Sequence, residues 1–317
     1  MKKKLVIMLL ILGMASSAFS VSVVQDLVKT TAARAANGAS SQDWFLPANW
    51  NGNVNVGTPG IPQNDTALLC NGATLYGSAA TSYTPISAVD SIIIATNAAM
   101  VGQLRVGSNT ANTPTVTGVP AALTINSGSL TIGSADSITH NSGYMSVGSD
   151  SAAVGSAGRN GLFYMNGGAV TALYGQGAIT VGNGNSTGVA NGCFGKMYMT
   201  AGTVDALTFR IGRYTGVTGE VYLGGGTITT NVFEMGLGTK LLDITGSGKL
   251  VLTGNQTVLV DGYIDNGWIK TNGVALDSLG IYSTYNSGSN KTTLVIPEPA
   301  TLCLLGIGIL GLLRRRK

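Results

Sequence analysis

The chain has 317 residues, of which 46 are Gly, 44% are hydrophobic and only 10% are charged. Its formal net charge of +4 belongs to the ends: seven of the 18 Lys and Arg and one of the 14 acids lie within residues 1–20 and 297–317, leaving 11 bases against 13 acids between them. A near-neutral body with scattered bases argues against a nucleic-acid partner, which needs a basic patch, and the ordered recurrence of Val, Ile, Leu and Thr argues against disorder.

At the N-terminus Lys2-Lys3-Lys4 precedes an apolar stretch from Leu5 to Leu12 and then Ala18-Phe19-Ser20, a small-x-small cleavage site. This order predicts a secretory signal peptide over residues 1–20. Cleavage nearer Ala32-Ala33-Arg34-Ala35-Ala36 is the second choice, because Gln25, Asp26 and Lys29 interrupt the apolar character. Residues 21–42 then read as a linker. Residues 43–120 read as an N-terminal capping region with the first strands, from Trp44, Asn49-Trp50-Asn51-Gly52, Pro59-Gly60-Ile61-Pro62 and Asp65-Thr66-Ala67-Leu68-Leu69. Trp44 and Trp50 are expected to cover the open end of a stack of strands, with carbohydrate stacking as the sharper alternative.

Self-similarity defines residues 121–254. The segments beginning at Gly161, Gly195 and Gly219 superimpose, so that Phe163, Met197 and Val221 correspond, as do Tyr164, Tyr198 and Tyr222, then Met165, Met199 and Leu223, and the turn glycines Gly168, Gly202 and Gly226. Each unit closes alike, on Ile179-Thr180-Val181-Gly182, Phe209-Arg210-Ile211-Gly212 or Phe233-Glu234-Met235-Gly236. Weaker copies sit at Leu123-Thr124-Ile125 with Ser129–Gly133, and at Leu242-Asp243-Ile244 with Leu250-Val251-Leu252. Unequal spacing of the units is loop, as in Asn183–Gly188. A strand, a Gly turn and two further short strands make one coil of a parallel β-solenoid, stacked on the next at about 4.8 Å. The fold class is therefore all-β, a parallel β-helix body. Phe163 and Met165 should point inward, with Tyr164, Tyr198 and Tyr222 forming an external ladder.

Residues 255–296 read as closing strands at Val258-Leu259-Val260, Tyr263-Ile264, Trp268-Ile269-Lys270 and Thr292–Ile296, with Trp268 as a lid. The chain then ends on Pro297-Glu298-Pro299, an apolar run from Ala300 to Leu313, and Arg314-Arg315-Arg316-Lys317. The two prolines force any helix to start after them. Residues 300–313 predict a short transmembrane helix rising about 21 Å, shorter than a hydrocarbon core of roughly 30 Å, so the terminal Arg and Lys must snorkel, on the cytoplasmic side.

This tail resembles the PEP-CTERM sorting signal of exported bacterial proteins, and the resemblance spans residues 297–317. It implies export, recognition of Pro297, Glu298 and Pro299 by an exosortase-type membrane protease, a membrane-anchored intermediate, and passage to the cell surface or extracellular matrix, often alongside exopolysaccharide. The Trp-rich entry and Gly-rich body resemble, more diffusely, secreted bacterial β-helix proteins with autotransporter-type repeats. Together these point to a noncatalytic surface or matrix protein that interacts with exopolysaccharide or acts in adhesion. The alternative is a polysaccharide lyase or hydrolase of the β-helix class.

Catalysis finds little support in the residues themselves. No two acids repeat at corresponding positions, and Asp261 with Asp265 is explained by a turn; His140 near Asp136-Ser137 is a base without a built pocket. Arg210 and Arg213 fit either an acidic sugar or a solvated strand face. Metal-ligand spacing is absent and no cofactor is expected. Cys303 falls in the apolar tail, while Cys70 and Cys193 read as small buried hydrophobes, with their pairing left open by an oxidising compartment.

Overall fold

A computed structural model describes residues 24–27, 50–51, 66–69, 91–94, 98–101, 103–107, 121–133, 143–148, 160–184, 193–276 and 282–296. These residues are mostly β, in two sheets of predominantly parallel strands. The first sheet stacks Ser91–Ile94, Ala121–Ile125, Gly161–Met165, Phe194–Met199, Thr218–Leu223, Thr239–Ile244 and Ile269–Thr271 in chain order. Each of these strands from Ser91–Ile94 to Thr218–Leu223 is followed by strands of the second sheet, which pair with their counterparts one unit on, as Ala169–Ala172 and Ala178–Val181 both do with the long strand Thr203–Ile211.

Alternation along the strands decides which side chains meet. Phe194–Met199 buries every second residue, and so does Thr218–Leu223, as period-two patterning requires of a sheet with one face in a core. In register, Leu123, Phe163, Met197, Val221 and Leu242 form one column. They are almost wholly buried and share a single core with Met145, Ile179, Phe209 and Phe233 from the second sheet. At about 1.5–3 kcal/mol for each buried side chain, the columns supply the cohesion that no one unit has alone.

The predicted columns of Phe163, Met197 and Val221 and of Tyr164, Tyr198 and Tyr222 are present. Gly168, Gly202 and Gly226 hold the turns at φ of +73°, +92° and +77°. At Gly202 a side chain is excluded twice, by that φ and by the Gly168 carbonyl oxygen, which would lie 2.6 Å from a Cβ. Gly184, read from sequence as unconstrained loop, is itself constrained: it sits at φ +57°, with a Val217 methyl 2.2 Å from where a Cβ would be.

Parallel pairing also extends upstream of Ala121. Ser91–Ile94 pairs with Ala122–Ile125, Ala98–Val101 with Ser129–Ile132, and Thr66–Leu69 with Gln103–Val106, which pairs in turn with Tyr144–Val147. Within the segment assigned to a linker, Val24–Leu27 forms a strand parallel to Thr66–Leu69 and antiparallel to Trp50–Asn51. Between Ile125 and Ser129, Met165 and Ala169, Met199 and Thr203, and Leu223 and Thr227 the turn has one constant length, whereas the other connections vary widely. Gly- and Ser-rich inserts at those variable corners hide the earlier copies from a search at fixed period.

The closing region departs from expectation. Val258–Val260 and Tyr263–Ile264 are not strands but part of a helix, Thr257–Asp265. Val260 and Ile264, four apart, are its buried residues, while Val258 is 85% exposed; that spacing is helical, and a strand would have needed period two. Asp261 and Asp265 accordingly lie on the helix rather than in a turn. Phe209, Phe233, Tyr263 and Trp268 form a chain of ring contacts at this end, and Lys240 Nζ sits 3.9 Å from the centre of the Trp268 ring. Strand order reverses here too, since Lys291–Val295 is antiparallel to Lys249–Thr253 and Ser283–Asn286 is antiparallel to Lys291–Val295. Antiparallel strands end the parallel stack and limit the exposed edge.

Candidate functional site

Sequence places function in the tail. Pro297, Glu298, Pro299, Arg314, Arg315, Arg316 and Lys317, the span predicted at 300–313 and the signal peptide predicted at 1–20 all lie outside the described residues. No helix among the described residues is long and apolar enough to cross a membrane.

The tail's point of attachment is described in detail. Lys291–Val295 is the middle strand of three, paired residue by residue with Lys249–Thr253 on one side and with Ser283–Asn286 on the other. Thr292 and Leu294 are wholly buried, and Ile296 packs against the core. The Thr292 hydroxyl donates to the Gly254 carbonyl at 2.7 Å and accepts from the Gln256 N–H at 2.8 Å, tying the strand to the residues that lead into the helix. One residue, Ile296, separates this strand from Pro297.

On the outer face of the first sheet, Tyr164, Tyr198 and Tyr222 stack with ring centroids 5.3 and 4.9 Å apart and planes within 13° and 6°. Stacking sugars need a free aromatic face, and here the faces between neighbours are occupied by each other, leaving edges and hydroxyls outward. Beside the ladder, in register, Lys196 opposes Glu220. Glu220 Oε2 takes both the Lys196 ammonium at 2.8 Å and a hydrogen bond donated by the Tyr222 hydroxyl at 2.8 Å. The hydrogen bond to Glu220 raises Lys196 above its ordinary value, and burial, reinforced by Glu220, pushes Tyr222 well up. Both groups hold their protons at neutral pH, the reverse of what a lyase base requires. Sequence reading missed this cluster because it sought acids at matching positions, whereas here a base and an acid match.

The second sheet repeats the arrangement. Arg210 and Glu234 are register partners and form an ion pair, while Arg213 donates to Asn183 Oδ1 at 3.4 Å and lies 4.7 Å from the centre of the Tyr214 ring. These contacts account for both arginines as parts of strand and corner surfaces. Tyr144 alternates with the core residues Met145 and Val147, is 6% exposed, and is pushed up to about 12 by burial. Asp261 accepts from the Ser283 hydroxyl at 3.2 Å.

Among the described residues no group of three or more His, Cys, Asp or Glu is placed to hold a metal ion. His140, Asp136, Trp44 and Cys70 lie outside the described residues; Cys193 is buried at 3% exposure, in keeping with its reading as a small hydrophobe.

A family model described as the PEP-CTERM protein-sorting motif matches residues 295–317. No curated protein and no solved structure matches the chain. The motif marks an exported protein processed by exosortase, with a membrane-anchored stage before the surface. Its first residue, Val295, is also the last residue of the strand Lys291–Val295.

Proposed function

We propose that the chain is a noncatalytic protein of the cell surface or extracellular matrix, whose folded body is a parallel β-solenoid presenting polar faces to exopolysaccharide or to neighbouring cells. The signal peptide at 1–20 would start its export, and the transmembrane helix at 300–313 would hold it in the inner membrane while Pro297-Glu298-Pro299 is read. The observation that carries this is the sorting motif joined, through the antiparallel closing strand Lys291–Val295, to a stack of in-register parallel strands. Support for a noncatalytic body comes from its outer charges, which neutralise one another as Lys196 with Glu220 and Arg210 with Glu234. Hydroxyl and amide side chains such as Thr131, Thr171 and Thr229, with Asp205 in register between the last two, and Asn126 bonded to Asn166, supply a polar face suited to sugars.

The test is mass spectrometry of surface-exposed protein from cells with and without exosortase, combined with co-sedimentation against purified exopolysaccharide. The reading expects a surface form lacking the Arg-rich terminus, dependent on exosortase, that pellets with the polymer. An intact Arg314–Lys317 terminus on the surface protein would reduce the tail to a plain anchor, and failure to pellet would remove the polymer as partner.

A further inference from the structure

We propose that exosortase acts on this protein only after the terminal strand Lys291–Val295 has come away from its two neighbours, so that opening of the last hairpin sets the rate of sorting. The inference rests on the exosortase reading of the tail. A protease must surround its target bond with an extended stretch of several residues, commonly by strand addition. Here the residues just before Pro297 are already used. Val295 is a register partner of Lys249, its N–H donates to the Tyr282 carbonyl at 3.2 Å, Leu294 is wholly buried, and Ile296 packs against the core. The strand has partners on both edges, so neither edge is free to accept another chain.

Thr292 is the latch. Its hydroxyl spans the Gly254 carbonyl and the Gln256 N–H, and both lose a buried partner when the strand leaves. When opening and closing are fast relative to cleavage, cutting of a transiently opened segment follows the population of the open form. A change in hairpin stability therefore appears directly as a change in processing rate. Reclosure after release would fasten the new C-terminal end beside Lys249 and Tyr282.

The experiment follows tail loss by pulse-chase and mass spectrometry of the full-length protein in cells that contain exosortase. Thr292→Val keeps the shape and removes both hydrogen bonds; tail loss should accelerate by roughly three- to tenfold, the factor by which losing about one net hydrogen bond raises an open population. A second variant locks the hairpin: Val251 and Thr293 are register partners, and Val251→Cys with Thr293→Cys places two thiols across an antiparallel pair at disulfide distance. Oxidised, it should retain the tail, and dithiothreitol should restore wild-type processing, while either single substitution processes normally. Equal rates for wild type, Thr292→Val and the oxidised double variant would overturn the inference. Failure of the wild type to lose its tail in an exosortase-dependent way would instead overturn the reading beneath it.

Discussion

Replacing Phe163 by Ala tests the stacked core most directly, because its neighbour Tyr164 provides a matched control one residue away on the opposite face. Phe163 is wholly buried between Leu123 and Met197 in its column, whereas Tyr164 is half-buried and its ring meets Tyr198 at 5.3 Å. Truncating a buried Phe costs about 3–5 kcal/mol through lost transfer energy and the cavity left behind. Removing Tyr164 forfeits one offset ring contact and some covered area, about 1 kcal/mol. Equilibrium urea unfolding of the exported protein, read by far-UV circular dichroism, separates these: with a slope of about 3 kcal/mol/M, Phe163→Ala should move the midpoint down by roughly 1–2 M and Tyr164→Ala by well under 0.5 M. Equal shifts would mean that the two side chains do not lie on opposite faces, and the column of Leu123, Phe163, Met197 and Val221 would fall with them.

Gly262 lies inside the helix with nothing within 4 Å of an added Cβ, so Gly262→Ala should raise stability by about 0.5–1 kcal/mol; a loss in thermal unfolding would reinstate strands there. Gly202→Val should cost more than Gly184→Val, since a backbone carbonyl blocks the first and a Val217 methyl the second, yet Gly184→Val should still cost about 1 kcal/mol or more at positive φ; limited proteolysis ranks the two. Above pH 10 an unfolded chain releases the Tyr144 proton that the folded chain keeps up to about 12, so stability present below pH 10 is lost between the two values, by roughly 2–3 kcal/mol. Urea midpoints near pH 9 and pH 11.5 measure that loss, and Tyr144→Phe should lessen it. Glu220→Gln should cost no more than about 1 kcal/mol, and less in high salt, because the Lys196 pair is partly solvated.

Much of this was legible from the chain alone. The alternation around Phe163, Met197 and Val221 fixes which side chains face inward, and the shared turn glycines fix the register, so the columns follow from sequence. Upstream copies were not legible, because Gln103-Leu104-Arg105-Val106-Gly107 carries the same apolar-x-apolar-Gly ending but is set apart by inserts of unequal length. The helix was missed for another reason: Val258, Val260 and Ile264 fit strand composition, and only the exposure of Val258 with burial at 260 and 264 reveals the helical period. At the tail, order of parts sufficed to find the sorting signal, yet nothing in Thr292-Thr293-Leu294-Val295-Ile296 tells that its strand is held on both sides. That pairing joins residues distant in sequence, and only the fold brings Lys249–Thr253 and Ser283–Asn286 alongside.

Four successive turns after strands of the first sheet, from Ile125 to Ser129 through Leu223 to Thr227, keep one length, while the connections that lead back to that sheet absorb the large insertions. One flank thus behaves as a fixed spine and the others as margins open to drift, where new recognition chemistry can be written without disturbing the interior. A lineage of such proteins would diversify what it touches by editing those margins alone, and would keep the same backbone for its passage out of the cell.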